Sequence, residues 1–236
     1  MLNLNKILKE LIIAFDLKFL GHSAFEINNN GNCILIDPFL AAYPNYDWKS
    51  LNITDIFVTH GHSDHLGSAI EIAKDKGAKI SAVFELANYC LSKGAYINPV
   101  GLGGWINYDW GKAIFLPAFH SSSTPDGQYA GCPSSILFEI NGVKIFHAGD
   151  TCLNQELKII KEMNKPDIAI LPIGGHFTMD VNSAALAAEW IGAEVIIPMH
   201  YNTFPYIRAD VNRFKDLIEN KGKQCTVMNI SEVAHF

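Results

Sequence analysis

From Leu17 onward the apolar residues fall into short runs of strand length, separated by polar turns and a few stretches of helical spacing. LKFLGHSAFEI, the turn NNNGN and CILIDPF read as a hairpin in which Asn and Gly supply the positive φ of the turn. DIFVT (55–59) predicts a third strand, Ser68 to Lys76 a helix closed by Gly77, KISAVF a strand and 85–93 a further helix. The second half repeats this order. AIFLPAF (113–119) is a strand, and SSILFEI and VKIFHA form a hairpin around the turn pair Asn141-Gly142. Then come a helix over 153–163, the strand DIAILPI, a helix over 182–191, the strand EVIIPMH, a helix over 210–220 and a last strand CTVMNI. Each half therefore runs hairpin first and β/α units afterwards. This predicts one α/β domain in which two sheets pack face to face with helices outside.

Residues 1–16 differ. Apolar positions 4, 7, 8, 11, 12 and 15 have helical spacing, interrupted by Lys6, Lys9 and Glu10 on the other face. The segment reads as an N-terminal extension, an amphipathic helix or an unstructured start, rather than an interfacial anchor. Its uninterrupted apolar run, Leu11 to Phe15, is far short of a membrane span or a signal-peptide core.

Composition narrows the function classes. With 49% hydrophobic and 18% charged residues, the 236-residue chain is globular rather than disordered. Its net charge of −6 makes nucleic acid and anionic membrane poor partners. The five cysteines are scattered and form no C-x-x-C pair, which suggests reduced thiols in a cytoplasm rather than a disulfide framework. Self-association is compatible with the sequence. The nine histidines are the unusual entry, because five of them follow apolar runs directly.

The densest group is T-H-G-H-S-D-H-L-G (59–67), immediately after a strand. Residues two apart in extended backbone project to one side, so His60 and His62 can share a metal, while a chain turn at Ser63 aims Asp64 and His65 at a second. These groups cannot complete two ligand shells alone. The chain returns with His120, Asp150 and His200, each just after another apolar strand.

Together H-x-H-x-D-H, the histidine of A-F-H-S-S, the aspartate of H-A-G-D-T and the histidine of P-M-H-Y resemble the metal-binding motifs of the metallo-β-lactamase-fold superfamily. I-D-P-F, G-H-S-A-F, I-G-G-H-F-T-M and H-Y-N-T-F-P resemble, more narrowly, small bacterial and archaeal metal-dependent hydrolases of unassigned substrate related to L-ascorbate-6-phosphate lactonases. The resemblance covers about residues 17–236 and implies a four-layer αββα sandwich with the site at one edge. It assigns His60, His62 and His120 to a first metal, Asp64, His65 and His200 to a second, and Asp150 to both. Two divalent ions, zinc on general ligand chemistry with Mn²⁺, Fe²⁺ or Ni²⁺ as alternatives, would hold a shared hydroxide and polarise a carbonyl or phosphoryl oxygen. Asp64 would also orient or deprotonate the attacking water.

The implied function is hydrolysis of a small-molecule ester, lactone or phosphoester. Alternatives on the same fold are a nuclease or phosphodiesterase and an iron redox enzyme, and a metal-sensing protein without turnover is a reading from another class. Around the ligands, His22 reads either as a group bonded to a metal ligand or substrate or as one satisfied within its hairpin. His176 reads as a substrate or supporting contact, His147 as a strand-end fixture and Cys152 as a small buried filler.

Overall fold

The computed structural model describes residues 15–236, so the helix expected within 1–16 lies, up to residue 14, outside the described residues. Alternation sets the layers. In β3 (Asn32–Ile36) and β4 (Ile53–Phe57), Ile34, Ile36 and Phe57 belong to one apolar cluster, and Cys33, Leu35 and Ile56 to another. Successive side chains point to opposite faces, so a strand apolar on both must be covered on both.

The first sheet begins as an antiparallel meander of β1 (Asp16–Gly21), β2 (Ala24–Asn29) and β3. It continues in parallel through β4, β5 (Lys79–Val83) and β6 (Tyr96–Val100). Helices α1 (Ser63–Leu66), α2 (Ala69–Lys76) and α3 (Phe84–Ser92) lie in these connections. The second sheet follows the same plan. Strands β7 (Trp105–Tyr108), β8 (Gly111–Pro117), β9 (Ser134–Ile140) and β10 (Val143–His147) are antiparallel. From β10 the sheet runs parallel through β11 (Ile168–Pro172), β12 (Val195–Met199) and β13 (Gln224–Cys225). Between these come α4 (Glu156–Met163), α5 (Val181–Ile191) and α6 (Val211–Glu219). The terminal strand β14 (Val233–His235) crosses back to pair with β1, giving the orders β14-β1-β2-β3-β4-β5-β6 and β13-β12-β11-β10-β9-β8-β7.

The two sheets meet through aromatic side chains. Phe57 of β4 packs against Trp110, Phe115 and Phe138 with ring centroids 5.9, 6.0 and 4.9 Å away. Helix α5 shows why the outer layers form where they do. Asp180 caps it by accepting from the Ser183 amide, Gly192 closes it in the left-handed region, and its buried face is Ala184, Ala185, Ala187, Ala188 and Ile191. The architecture is the αββα sandwich that the sequence suggests.

Several elements differ from expectation, among them the terminal strand β14, which the sequence pattern does not predict. Strands β6 and β7, at the sheet edges, are absent from the sequence reading. The first contains Pro99, tolerated where one side of the strand needs no hydrogen bond, and the second alternates exposed and half-buried residues too briefly to stand out. CTVMNI is not a full strand: only Gln224 and Cys225 pair, with Val195 and Ile196, before the chain turns away with Met228 in the core to reach the other sheet. Finally, β1 starts at Asp16, opposite His235, and Phe15 is already buried against Phe236.

One consequence positions the site. Strands β1, β3 and β4 run in one direction within their sheet, as do β8, β10 and β12 within theirs, so their C-terminal ends collect at one edge of each sheet. Among the described residues no helix is long and apolar enough to cross a membrane.

Candidate metal centre

Every metal-ligand candidate of the sequence reading leaves one of these strand ends. After β4 the chain passes His60, makes a tight turn through Gly61, and places His62 just ahead of α1, whose first turn carries Asp64 and His65. Gly61 is needed for close approach, since a Cβ there would stand 2.4 Å from the Ala130 Cβ. His120 follows β8, Asp150 follows β10 and His200 follows β12.

The seven side chains converge. The facing ring nitrogens of His60 (Nε2) and His62 (Nδ1) are 2.9 Å apart, and both rings lie 5.1 Å from that of His120. Asp150 sits between the groups: its Oδ1 is 3.3 Å from His65 Nε2, and its Oδ2 is 3.1 Å from His200 Nε2 and 3.5 Å from His120 Nε2. Asp64 Oδ2 lies 3.8 Å from His200 Nε2 and 3.1 Å from His22 Nε2. Donor atoms from His60, His62 and His120 fall within 4.8 Å of one another, as do those of His60, His65 and Asp150, and those of His22, Asp64, His65 and His200.

The residues fit a metal centre. His65 Nε2, Asp150 Oδ1 and both ring nitrogens of His200 are buried without any hydrogen-bond partner, although oppositely charged atoms are close. Buried polar atoms are normally paired, and leaving several orphans in one place is costly. Imidazole and carboxylate donors facing a common space are the donor set of Zn²⁺ and its neighbours.

Electrostatics separate the two groups. Burial pushes His60 well down and also lowers His62 and His120, so these three imidazoles are neutral at neutral pH. For His65 burial acts downward too, but the carboxylates of Asp150 and Asp37 outweigh it and hold the ring well above the usual histidine range. His200 rises to about 9, because Asp150, and then Asp64, overcome its burial. Burial opposes ionisation of Asp150, yet His65 and His200 keep it well below the usual carboxylate range. Asp64 is lowered in the same way, against burial, by His200 and His22. Without metal, imidazolium charge on His65 and His200 balances the two carboxylates.

A supporting layer fixes the ligand rings. Asp37, fully buried just after β3, holds the His65 Nδ1 at 2.7 Å and accepts from the Thr59 amide at 2.8 Å and the Thr59 hydroxyl at 2.7 Å. A carboxylate on Nδ1 fixes the tautomer and leaves Nε2 for the ligand space. Ser121 Oγ lies 3.5 Å from His62 Nε2, and Ser122 Oγ accepts from the Gly61 amide at 3.2 Å. His147 is a strand-end fixture as expected: its Nε2 donates to the Ser23 carbonyl and its Nδ1 accepts from the Gly149 amide.

The sequence reading assigned no role to Asp37. The available signal was a lone acid directly after the all-apolar run CILI, inside the quoted I-D-P-F. His22 does meet a ligand, Asp64, rather than being satisfied within its hairpin. His176 is not brought into the cluster; it is exposed and stacks on Tyr206 with centroids 5.2 Å apart. Cys152 is not a buried filler. It is exposed, its amide bonded to the Phe119 carbonyl, because the chain has already left the sheet edge after Asp150.

Comparison with known proteins agrees with this geometry. The sequence model of the family described as "Beta-lactamase superfamily domain" matches residues 16–200. A "UPF0173 metal-dependent hydrolase" of Anoxybacillus flavithermus is 43% identical over 222 residues, covering 92% of this chain and 97% of that protein. Another of the same description from Bacillus cereus is 44% identical over 207 residues, covering 85% and 91%. Among solved structures, Igni18, described as a novel metallo hydrolase from the hyperthermophilic archaeon Ignicoccus hospitalis, matches with a TM-score of 0.86 and 37% identity, covering 94% of this chain and 98% of that one.

Proposed function

We propose a specific reaction from the premise that the chain belongs to the beta-lactamase superfamily, among its metal-dependent hydrolases: it hydrolyses a small-molecule ester, lactone or phosphoester at a two-metal centre. The observation that carries this reading is the convergence of seven donor side chains, with Asp150 between the two groups and buried donor atoms left unpaired. His60, His62 and His120 would hold one divalent ion, Asp64, His65 and His200 the other, and Asp150 both; zinc suits this donor set. When bound, two such ions acidify a shared water and polarise a carbonyl or phosphoryl oxygen.

The protein's own groups do the rest. His60, His65 and His200 are buried, which keeps bulk water from three of the ligands. Asp64 is a quarter exposed, so of the two carboxylates it is the one that reaches solvent and substrate. It would therefore orient the attacking water or take its proton. The hydrolase unit would begin at Phe15 and Asp16, which already belong to the core and to β1, rather than at residue 17, with the preceding residues an extension. Free thiols at all five cysteines support a reducing, cytoplasmic setting.

The net charge of −6, with no Lys or Arg in the ligand motifs, supports a small substrate over a nucleic acid. The test is a panel of lactone, carboxylic ester, phosphomonoester and phosphodiester substrates with the metal-loaded protein. Turnover of one class, falling by at least about 10²-fold in Asp64→Ala, is expected. Turnover that survives this substitution contradicts the assigned role.

A further inference from the structure

We infer that His22 is itself a ligand at the second metal position, an assignment that rests on the two-metal reading above. His22 directly follows β1 with a φ of 56°, a left-handed conformation uncommon for a non-glycine residue, and its carbonyl accepts from the His200 amide at 2.8 Å. His200 has a φ of 53°. Two strained strand ends are thus tied together by their backbones, and their rings lie 4.1 Å apart.

The contacts of the ring place Nε2 on the side of the site and Nδ1 against Thr203. His22 Nδ1 is 3.0 Å from the hydroxyl of Thr203. That hydroxyl also lies 3.4 Å from the Tyr201 carbonyl, to which it can donate when Nδ1 carries the proton. In the tautomer that a metal requires, Thr203 accepts from the His22 Nδ1–H and Nε2 carries a lone pair towards Asp64. Nε2 lies 3.1 Å from Asp64 Oδ2, an atom with lone pairs only. Without metal a proton on Nε2 can bridge this pair, and a cation between the two atoms can take that proton's place. Adjacent ligands of one ion stand about 2.8 to 3.3 Å apart when each bond is about 2 Å. One donor atom each from His22, Asp64, His65 and His200 already falls within 4.8 Å of the others. Thr203 on Nδ1 then plays the part that Asp37 plays for His65.

This makes the two positions unequal. The second draws on His22, His65, His200 and Asp64 besides the shared Asp150, and its three imidazoles are buried. In the first, His62 and His120 are partly exposed. At the second position the imidazoles are enclosed, and Asp64 is the group that opens to solvent.

The experiment loads metal-stripped protein with Co²⁺ and records proton NMR in water, where the ring N–H of each ligating histidine is strongly shifted by the metal. The expected spectrum has one exchangeable signal for each of His60, His62, His65, His120 and His200, and a sixth for His22. His22→Ala and His22→Gln should both lose the sixth signal and bind the second Co²⁺ at least about 10-fold more weakly. The parent spectrum decides without relying on a variant. Two bound Co²⁺ with only five signals overturns the assignment and leaves the two-metal reading standing, and so does full affinity in His22→Gln, which can still hydrogen-bond Asp64. Failure to bind Co²⁺ overturns both.

Discussion

A single buried carboxylate governs half of this centre. Asp37 makes three hydrogen bonds of 2.7 to 2.8 Å, to Thr59 twice and to His65 once, and has no exposure. Removing it leaves an amide, a hydroxyl and an imidazole buried without their acceptor. Asp37→Ala should cost the metal-free protein about 3–5 kcal/mol, read from urea unfolding. It should also weaken the second metal position by about 10–100-fold while sparing the first, read from metal titration. Loss at both positions equally would show that Asp37 supports the whole edge rather than the His65 ring. At this scale the clustering histidines and aspartates were legible and their supports were not. A histidine after an apolar strand announces itself, whereas the partner of its second ring nitrogen comes from a strand 28 residues earlier and is chosen by the register of β3 against β4.

At the scale of elements, α1 is the piece that turns H-x-H-x-D-H from a strand into a two-sided ligand array. It is only four residues long, so its own hydrogen bonds cannot hold it. It is closed by Gly67, with a φ of 42°, where a Cβ would stand 2.3 Å from the Pro38 carbonyl oxygen. That contact is to backbone, and the same carbonyl accepts from the Ser68 amide at 2.9 Å, so it cannot move freely. Gly67→Ala should therefore destabilise the protein by at least about 1–3 kcal/mol, seen as a lowered thermal midpoint, and weaken metal binding although every ligand is present. Unchanged affinity would mean that the ligands are held without α1.

Elements with a full apolar face, such as β3, β11 and α5, could be read from periodicity. Strands β6, β7 and β14 could not, because edge strands need burial on fewer sides and their pattern is weak. The two-residue β13 is a different case: CTVMNI has strand composition, but Met228 and its neighbours serve the core and the crossing between sheets instead.

Over the whole molecule, the repeated plan of antiparallel strands followed by parallel ones brings β1, β3 and β4 of one sheet and β8, β10 and β12 of the other to a common edge. Donors 60 and 200 residues into the chain meet there because the core between the sheets fixes both edges. The doubling was visible in the order of predicted elements. What could not be read was the exit angle of each strand end, since it depends on left-handed residues such as Asp37 and His200, at φ of 44° and 53°.

The same convergence links metal, protons and stability. Metal-free, His200 is raised from 6.5 to about 9, so its ion pairing stabilises the fold fully below about pH 6.5 and is lost as the pH rises through about 9. A metal needs the bare nitrogen, so its affinity must run the opposite way, increasing with pH over that window and releasing protons from His65 and His200. Calorimetric titration of the metal-stripped protein with Zn²⁺, in buffers of different ionisation enthalpy from pH 6.5 to 9, tests this centre most directly. Two ions per chain, the second displacing about two protons at pH 6.5 and fewer towards pH 9, is the predicted result. Saturation at one ion or none, or a second event without proton release, would contradict it.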